Sequence, residues 1–124
     1  MTLTPQPFAD TLVLAPAGRL DQESSDEFRA GLQPHLDAAL GQQHGIVLDL
    51  SGLEYVSSAG LRCFMIAARQ VDAQGGKIVV ASPRPVVAEI FQISRFNMLF
   101  RVYPTVREAL VALSPAAAAA FDRR

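Results

Sequence analysis

The sequence predicts an α/β domain built on a mixed, mainly parallel sheet of about five strands, with about four helices and an antiparallel strand at its N-terminal edge. Three observations lead there. From the second strand onward, short apolar runs alternate with apolar stripes at three- and four-residue steps, the pattern of strand–helix–strand units with right-handed crossovers and parallel strands. The first two strands are separated only by Ala9-Asp10, too little chain for a crossover, so they pair as an antiparallel hairpin. With 124 residues, half of them apolar, the chain suffices for one core and not for two.

The hairpin runs from Leu3 to Phe8 and from Thr11 to Ala17, the second arm carrying the apolar run Leu12-Val13-Leu14. Pro5 and Pro7 cannot donate to a ladder, which places the first arm at a sheet edge or outside regular strand. Gly18-Arg19-Leu20-Asp21 then turns the chain into a helix that Ser24, Ser25 or Asp26 can cap. Phe28, Leu32, Leu36 and Leu40 form its stripe at four-residue steps. Pro34 removes one backbone bond from it, but the apolar pattern continues across, so one kinked helix is expected.

Next comes IVLDLSGLEYVSSAGLR, Ile46 to Arg62, around which the chain is organised. A nearly all-apolar strand leads through the Ser51-Gly52 turn to a second apolar pair, Tyr55-Val56. Small polar residues follow, and then a helix whose stripe is Leu61, Phe64, Met65, Ala68 and Val71. Ser57 and Ser58 therefore sit at or just ahead of a first helical turn, where backbone N–H groups lack partners and the helix dipole is positive. One serine suffices as N-cap, a role worth about 1 kcal/mol, which leaves the other to spare. A helix N-terminus also tolerates an added charge of about −1.5 to −2, so phosphorylation there would change the surface without unfolding the domain.

Ala73-Gln74-Gly75-Gly76 reads as a glycine stop, followed by a strand from Ile78 to Ala81. Pro85 suits the first position of a helix from Val86 to about Ser94, whose Val86, Val87, Ile90, Phe91 and Ile93 are expected in the core. A short strand near Leu99 to Tyr103 precedes a last helix, opened by a Thr105–Glu108 capping box and striped by Val106, Ala109, Leu110 and Leu113. The domain is expected to span 1–114. The Ala-rich tail over 115–124 buries little and is expected to be frayed or disordered.

Composition narrows the function classes. Charged residues are 19% and the formal net charge is −1, with no Lys/Arg run to follow a nucleic-acid backbone. No stretch approaches eighteen apolar residues, so no membrane insertion is expected, and MTLTPQPFAD has neither the basic leader nor the apolar run of a signal peptide. A cytoplasmic protein is the expectation. The single cysteine, Cys63, lies in a helical pattern as a small buried or half-buried thiol. His35 and His44 stand at no metal-ligand spacing, Ser58 has the flanks of neither a nucleophile elbow nor an S-x-x-K motif, and Gly75-Gly76-Lys77 opens a strand, unlike a P-loop. No catalytic residue, cofactor or metal is therefore expected.

Two segments carry a family resemblance. LDLSGLEYVSSAGLR resembles the signature of STAS domains, in particular bacterial anti-sigma factor antagonists of partner-switching systems, and GRLD resembles the turn that those proteins carry after their second strand. The likeness covers roughly Thr11 to Leu113, FQISRFNMLFRVYPTVREAL included. It implies a single-domain STAS-like fold with Ser58 as the phosphorylated serine; Ser57 replaces the Asp common before it. It also implies a partner-facing group of Asp21, Ser57, Ser58, Gly60, Leu61 and Arg62. Leu61 serves equally as a core residue, and Asp21 as a turn residue ahead of the helix. The implied partner of the unphosphorylated form is an anti-sigma factor that is also a serine kinase with a histidine-kinase-like ATPase fold. Phosphorylation would release it, and a metal-dependent serine phosphatase would restore binding. The alternative is a STAS subunit docked on the ATPase of a lipid or other transporter with no phosphorylation cycle. Independently of the resemblance, Asp21 and the serine pair both follow strand ends, and parallel topology brings them to one sheet edge.

Overall fold

The computed structural model describes residues 2–39, 45–98 and 100–124. Leu40, His44 and Leu99, each named above, lie outside the described residues. The order is β1 (Thr2–Phe8), β2 (Thr11–Leu20), α1 (Ser25–Ala38), β3 (Gly45–Asp49), β4 (Leu53–Val56) and α2 (Ser58–Ala73). Then follow β5 (Lys77–Ala81), α3 (Pro85–Ile93), a 3-10 turn at Phe96–Met98, β6 (Val102–Tyr103), α4 (Val106–Leu113) and α5 (Pro115–Asp122). The sheet runs β1-β2-β3-β5-β6, with β4 beside the end of β2; β1 is antiparallel to β2 and the other pairings are parallel. Pro5 and Pro7 do lie in a strand, at the sheet edge where a missing donor costs least.

The period-2 alternation of the strands divides the interior in two. Leu14, Ile46, Leu48 and Val80 point to the side covered by α1, α2 and α3. There they pack with Phe28, Leu32, Phe64, Val71, Val87 and Phe91. Their neighbours Val13, Val47, Val79 and Ala81 point to the other side, where α4 and α5 supply Ala109, Leu110, Ala117 and Ala118. Each fully buried Leu or Phe here contributes about 1.5–3 kcal/mol relative to exposure.

Several elements differ from the expectation, for identifiable reasons. Tyr55-Val56 belongs to a sixth strand, β4, because the extended end of β2 offers Gly18, Arg19 and Leu20 as a ladder for Leu53, Tyr55 and Val56. Val86 and Ile93 are not core residues: they are 52% and 77% exposed. The inward stripe of α3 is the buried Val87 and Phe91 with the half-buried Ile90 between them, and positions one before and six after Val87 fall outside its arc. The Ala-rich tail is not frayed. It forms a fifth helix, capped by the Ser114 hydroxyl on Ala117 N–H at 3.1 Å, with Ala117 and Ala118 buried and Phe121 packed edge-on to Phe8 at 5.2 Å. An Arg107–Asp122 ion pair, bidentate at 3.0 and 3.1 Å, ties it to α4.

Other signals act as read. α1 runs as one element through Pro34. α2 ends in a Schellman motif, with Gly76 N–H on Val71 C=O at 2.9 Å, Gly75 N–H on Asp72 C=O at 3.0 Å, and Gly75 at φ 81°. The Thr105 hydroxyl accepts Glu108 N–H at 3.1 Å, half of the expected capping box.

Candidate functional site at the shared end of two strands

The end of β2 and the start of α2 are joined through β4. Gly18 N–H donates to Gly52 C=O at 3.0 Å, and the register shifts between Gly18 and Arg19; Gly18, at φ 101°, takes a conformation that L side chains rarely adopt. Beyond the bulge the Arg19 guanidinium stacks on the Tyr55 ring at 4.5 Å. At the strand end Ser57 N–H donates to Leu20 C=O at 2.8 Å, which sets the serine pair one residue from Asp21. The two motifs thus meet at one sheet edge, as topology required.

The two serines divide their roles. Ser57 is the N-cap, in extended backbone, with its hydroxyl accepting Gly60 N–H at 3.3 Å and its carbonyl accepting the first helical bond, from Leu61 N–H at 2.9 Å. Ser58 occupies the first helical position, and its exposed hydroxyl has no hydrogen-bond partner among the described residues. Gly60 departs from the expected partner-facing group because it is buried. A Cβ there would lie 2.7 Å from Leu20 Cγ and 2.8 Å from Val56 Cγ2, so its place in the motif is explained by close packing of the helix on the two strand ends. Leu61 is half-buried against the core, and Arg62 is exposed.

Asp21 is half-buried in a reciprocal turn with Ser24. Its carboxylate accepts Ser24 N–H at 3.0 Å, while the Ser24 hydroxyl accepts Asp21 N–H at 3.0 Å. The Ser24 hydroxyl has two acceptors within reach for its proton, Arg19 C=O at 2.8 Å and Asp21 Oδ1 at 3.1 Å. These bonds, the Ser24 N–H first and its hydroxyl second, hold the Asp21 carboxyl below the usual aspartate range. Ser24 therefore serves this turn, although it stands at the N-cap position of α1.

A groove of about 470 Å³ separates the starts of α1 and α2, with Gln22, Asp26, Arg29, Ser58, Arg62 and Ile66 on its walls. Cys63 closes its base, its Sγ 3.8 Å from Ser25 C=O, and burial pushes its thiol pKa up, as suits an inert packing group. Sequence reasoning missed the Arg19–Tyr55 stack and the groove residues Asp26 and Arg29; no local spacing signals them, because each pairing needs two elements to be brought together. Among the described residues no three His, Cys, Asp or Glu side chains cluster closely enough to hold a metal ion. No helix among them is long and apolar enough to cross a membrane.

The family model of the STAS domain matches residues 5–109. The chain belongs to the STAS domain family. BtrV of Bordetella bronchiseptica, which carries the provisional name of anti-sigma factor antagonist, is 34% identical over 112 residues, covering 90% of this chain and 93% of BtrV. Among solved structures, an anti-sigma factor antagonist from Mycobacterium paratuberculosis shares the STAS fold at a TM-score of 0.80 and 20% identity, over 90% of this chain and 92% of that one. The anti-sigma factor antagonist SpoIIAA in its unphosphorylated form matches at 0.70 and 21% identity, over 88% of this chain and 93% of its own. Bacillus SpoIIAA in its phosphorylated form matches at 0.66 and 19%, over 91% of this chain and 100% of its own.

Proposed function

We propose that this STAS domain is an anti-sigma factor antagonist working in the cytoplasm as a phosphorylation-controlled binding module. In its unphosphorylated form it binds an anti-sigma factor that is also a serine kinase with a histidine-kinase-like ATPase fold. That kinase phosphorylates Ser58 and is thereby released, and a metal-dependent serine phosphatase restores the binding form. The observation that carries the reading is the division between the serines: Ser57 caps α2, and Ser58 presents an exposed hydroxyl with no hydrogen-bond partner among the described residues. The name carried by BtrV supports the same reading. Asp21, Ser57, Leu61 and Arg62 are the surrounding contacts. A phosphoryl dianion of about −1.5 to −2 charge, set into a contact surface that must desolvate and that includes Asp21, opposes docking by burial and like-charge repulsion.

The test is a pull-down from the native lysate with wild-type, Ser58→Ala and Ser58→Asp baits, followed by incubation of the captured kinase with the wild type and ATP. Wild type and Ser58→Ala capture the kinase, Ser58→Asp binds it at least about 100-fold more weakly, and mass spectrometry finds the added phosphate on Ser58. Equal capture by the Ala and Asp forms sinks the switch. If the protein captured by both is a transporter ATPase, the domain is a fixed subunit and Ser58 a surface residue.

A further inference from the structure

A second cleft, of about 560 Å³, lies at the other end of α2. Its existence follows from the brevity of β6, which pairs only with Val80 and Ala81 of β5. Among the described residues no strand lies beside the first three positions of β5, Lys77 to Val79, on that side. The space is bounded by the last turns of α2 and α4, and Phe100, Ile78 and Leu113 supply its apolar lining. The cleft begins at Ala68, ten residues along α2 from Ser58, which is about 15 Å at 1.5 Å per residue.

Three cations line this cleft: Arg69 of α2, Lys77 of β5 and Arg101 just ahead of β6. All three are exposed and none is in an ion pair among the described residues; Asp72 is the one acid there. A local balance of three positive charges to one negative runs against a chain whose net charge is −1. The Tyr103 hydroxyl, also lining the cleft, has no hydrogen-bond partner among the described residues.

We infer that this cleft is a second docking site, for an acidic protein segment that sets an apolar side chain on the half-buried Ile78 and Leu113 while its carboxylates meet Arg69, Lys77 and Arg101. Small-molecule sites enclose most of their ligand and aim a few polar groups inward; here the cations are exposed, which suits a chain lying across the surface. Attraction by unlike charge speeds encounter, and the apolar contact gives it a fixed seat. The site is independent of the switch reading, since it shares no residue with the Ser58 edge. The domain can hold one partner there while the other is exchanged.

The probe is a fluorescein-labelled peptide of about ten residues in which Glu alternates with Leu and Phe, titrated into the full chain by anisotropy and by amide NMR shifts. Expected are shifts centred on Ala68, Ile78 and Arg101 and saturable binding that weakens at least about tenfold in the Arg69→Glu/Arg101→Glu double variant. Ser58→Asp and Arg123→Glu change the affinity by less than about twofold, and unfolding curves show that each variant is folded. The inference is overturned if the shifts lie elsewhere, if a Glu/Ser peptide of equal charge binds as tightly, or if Arg123→Glu weakens binding as much. It is also overturned if inorganic phosphate moves the same amides while the peptide does not, which makes the cleft a small-anion site.

Discussion

At Gly60 the packing of the candidate site comes down to one missing methyl group. The helix can start where it does only because its third residue has no Cβ to strike Leu20 and Val56. Gly60→Ala therefore gains helix propensity, at most about 1 kcal/mol, but incurs an overpacking cost of about 1–3 kcal/mol, because the atoms that would have to move are core side chains. Urea unfolding should place the variant below wild type; a variant equal to wild type would show that Leu20 and Val56 can give way. Asp21 supplies a second test. Its folded pKa is depressed, so its contribution to stability is present above the unfolded aspartate pKa and is lost as pH falls through the lower, folded value. Ser24→Ala keeps the N–H bond and removes the hydroxyl one, so an NMR titration should find the Asp21 carboxyl raised part of the way to its ordinary value. No change would mean that the hydroxyl proton rests on Arg19 C=O alone.

Elements were legible where their signals are local. The Schellman stop after α2, the Thr105 cap and the Phe28–Leu32–Leu36 part of the α1 stripe are each set by a few nearby residues, and each forms. Elements that depend on a distant neighbour were not legible. β4 is a strand because the end of β2 lies beside it, and α5 is ordered because Phe8, at the far end of the sequence, receives Phe121. An alanine run contributes little by itself, but on a small flat face it permits the close approach that buries Ala117 and Ala118. Phe121→Ala removes the edge-on pair with Phe8, with an expected loss of about 1–2 kcal/mol in chemical denaturation. Val86 and Ile93 were misplaced for a related reason: a nine-residue helix with five large apolar side chains leaves open which arc faces inward, and the sheet decides it.

At the scale of the molecule, parallel topology was readable from the alternation of elements and predicted that Asp21 and the serine pair share one edge, while the unforeseen β2–β4 pairing sets their close approach. What alternation could not supply was the allocation of roles there, because capping by Ser57 and the exposure of Ser58 depend on where the helix begins relative to Leu20. That allocation has a consequence for the whole fold. Ser58 projects from the first helical position and has no hydrogen-bond partner among the described residues, so a negative charge there breaks no described contact and meets the positive end of the α2 dipole. The unfolding free energy of Ser58→Asp should therefore equal that of wild type or exceed it by up to about 1 kcal/mol, with an unchanged m-value. Replacing Ser57 behaves in the opposite way: Ser57→Ala removes the cap and should lower stability by about 1 kcal/mol. If Ser58→Asp destabilised the domain as much as Ser57→Ala does, the charge would be disturbing a native contact at Ser58, and a change confined to the surface would not describe the Asp form. If the Asp form keeps full stability and still loses its partner, the charge acts on the surface alone.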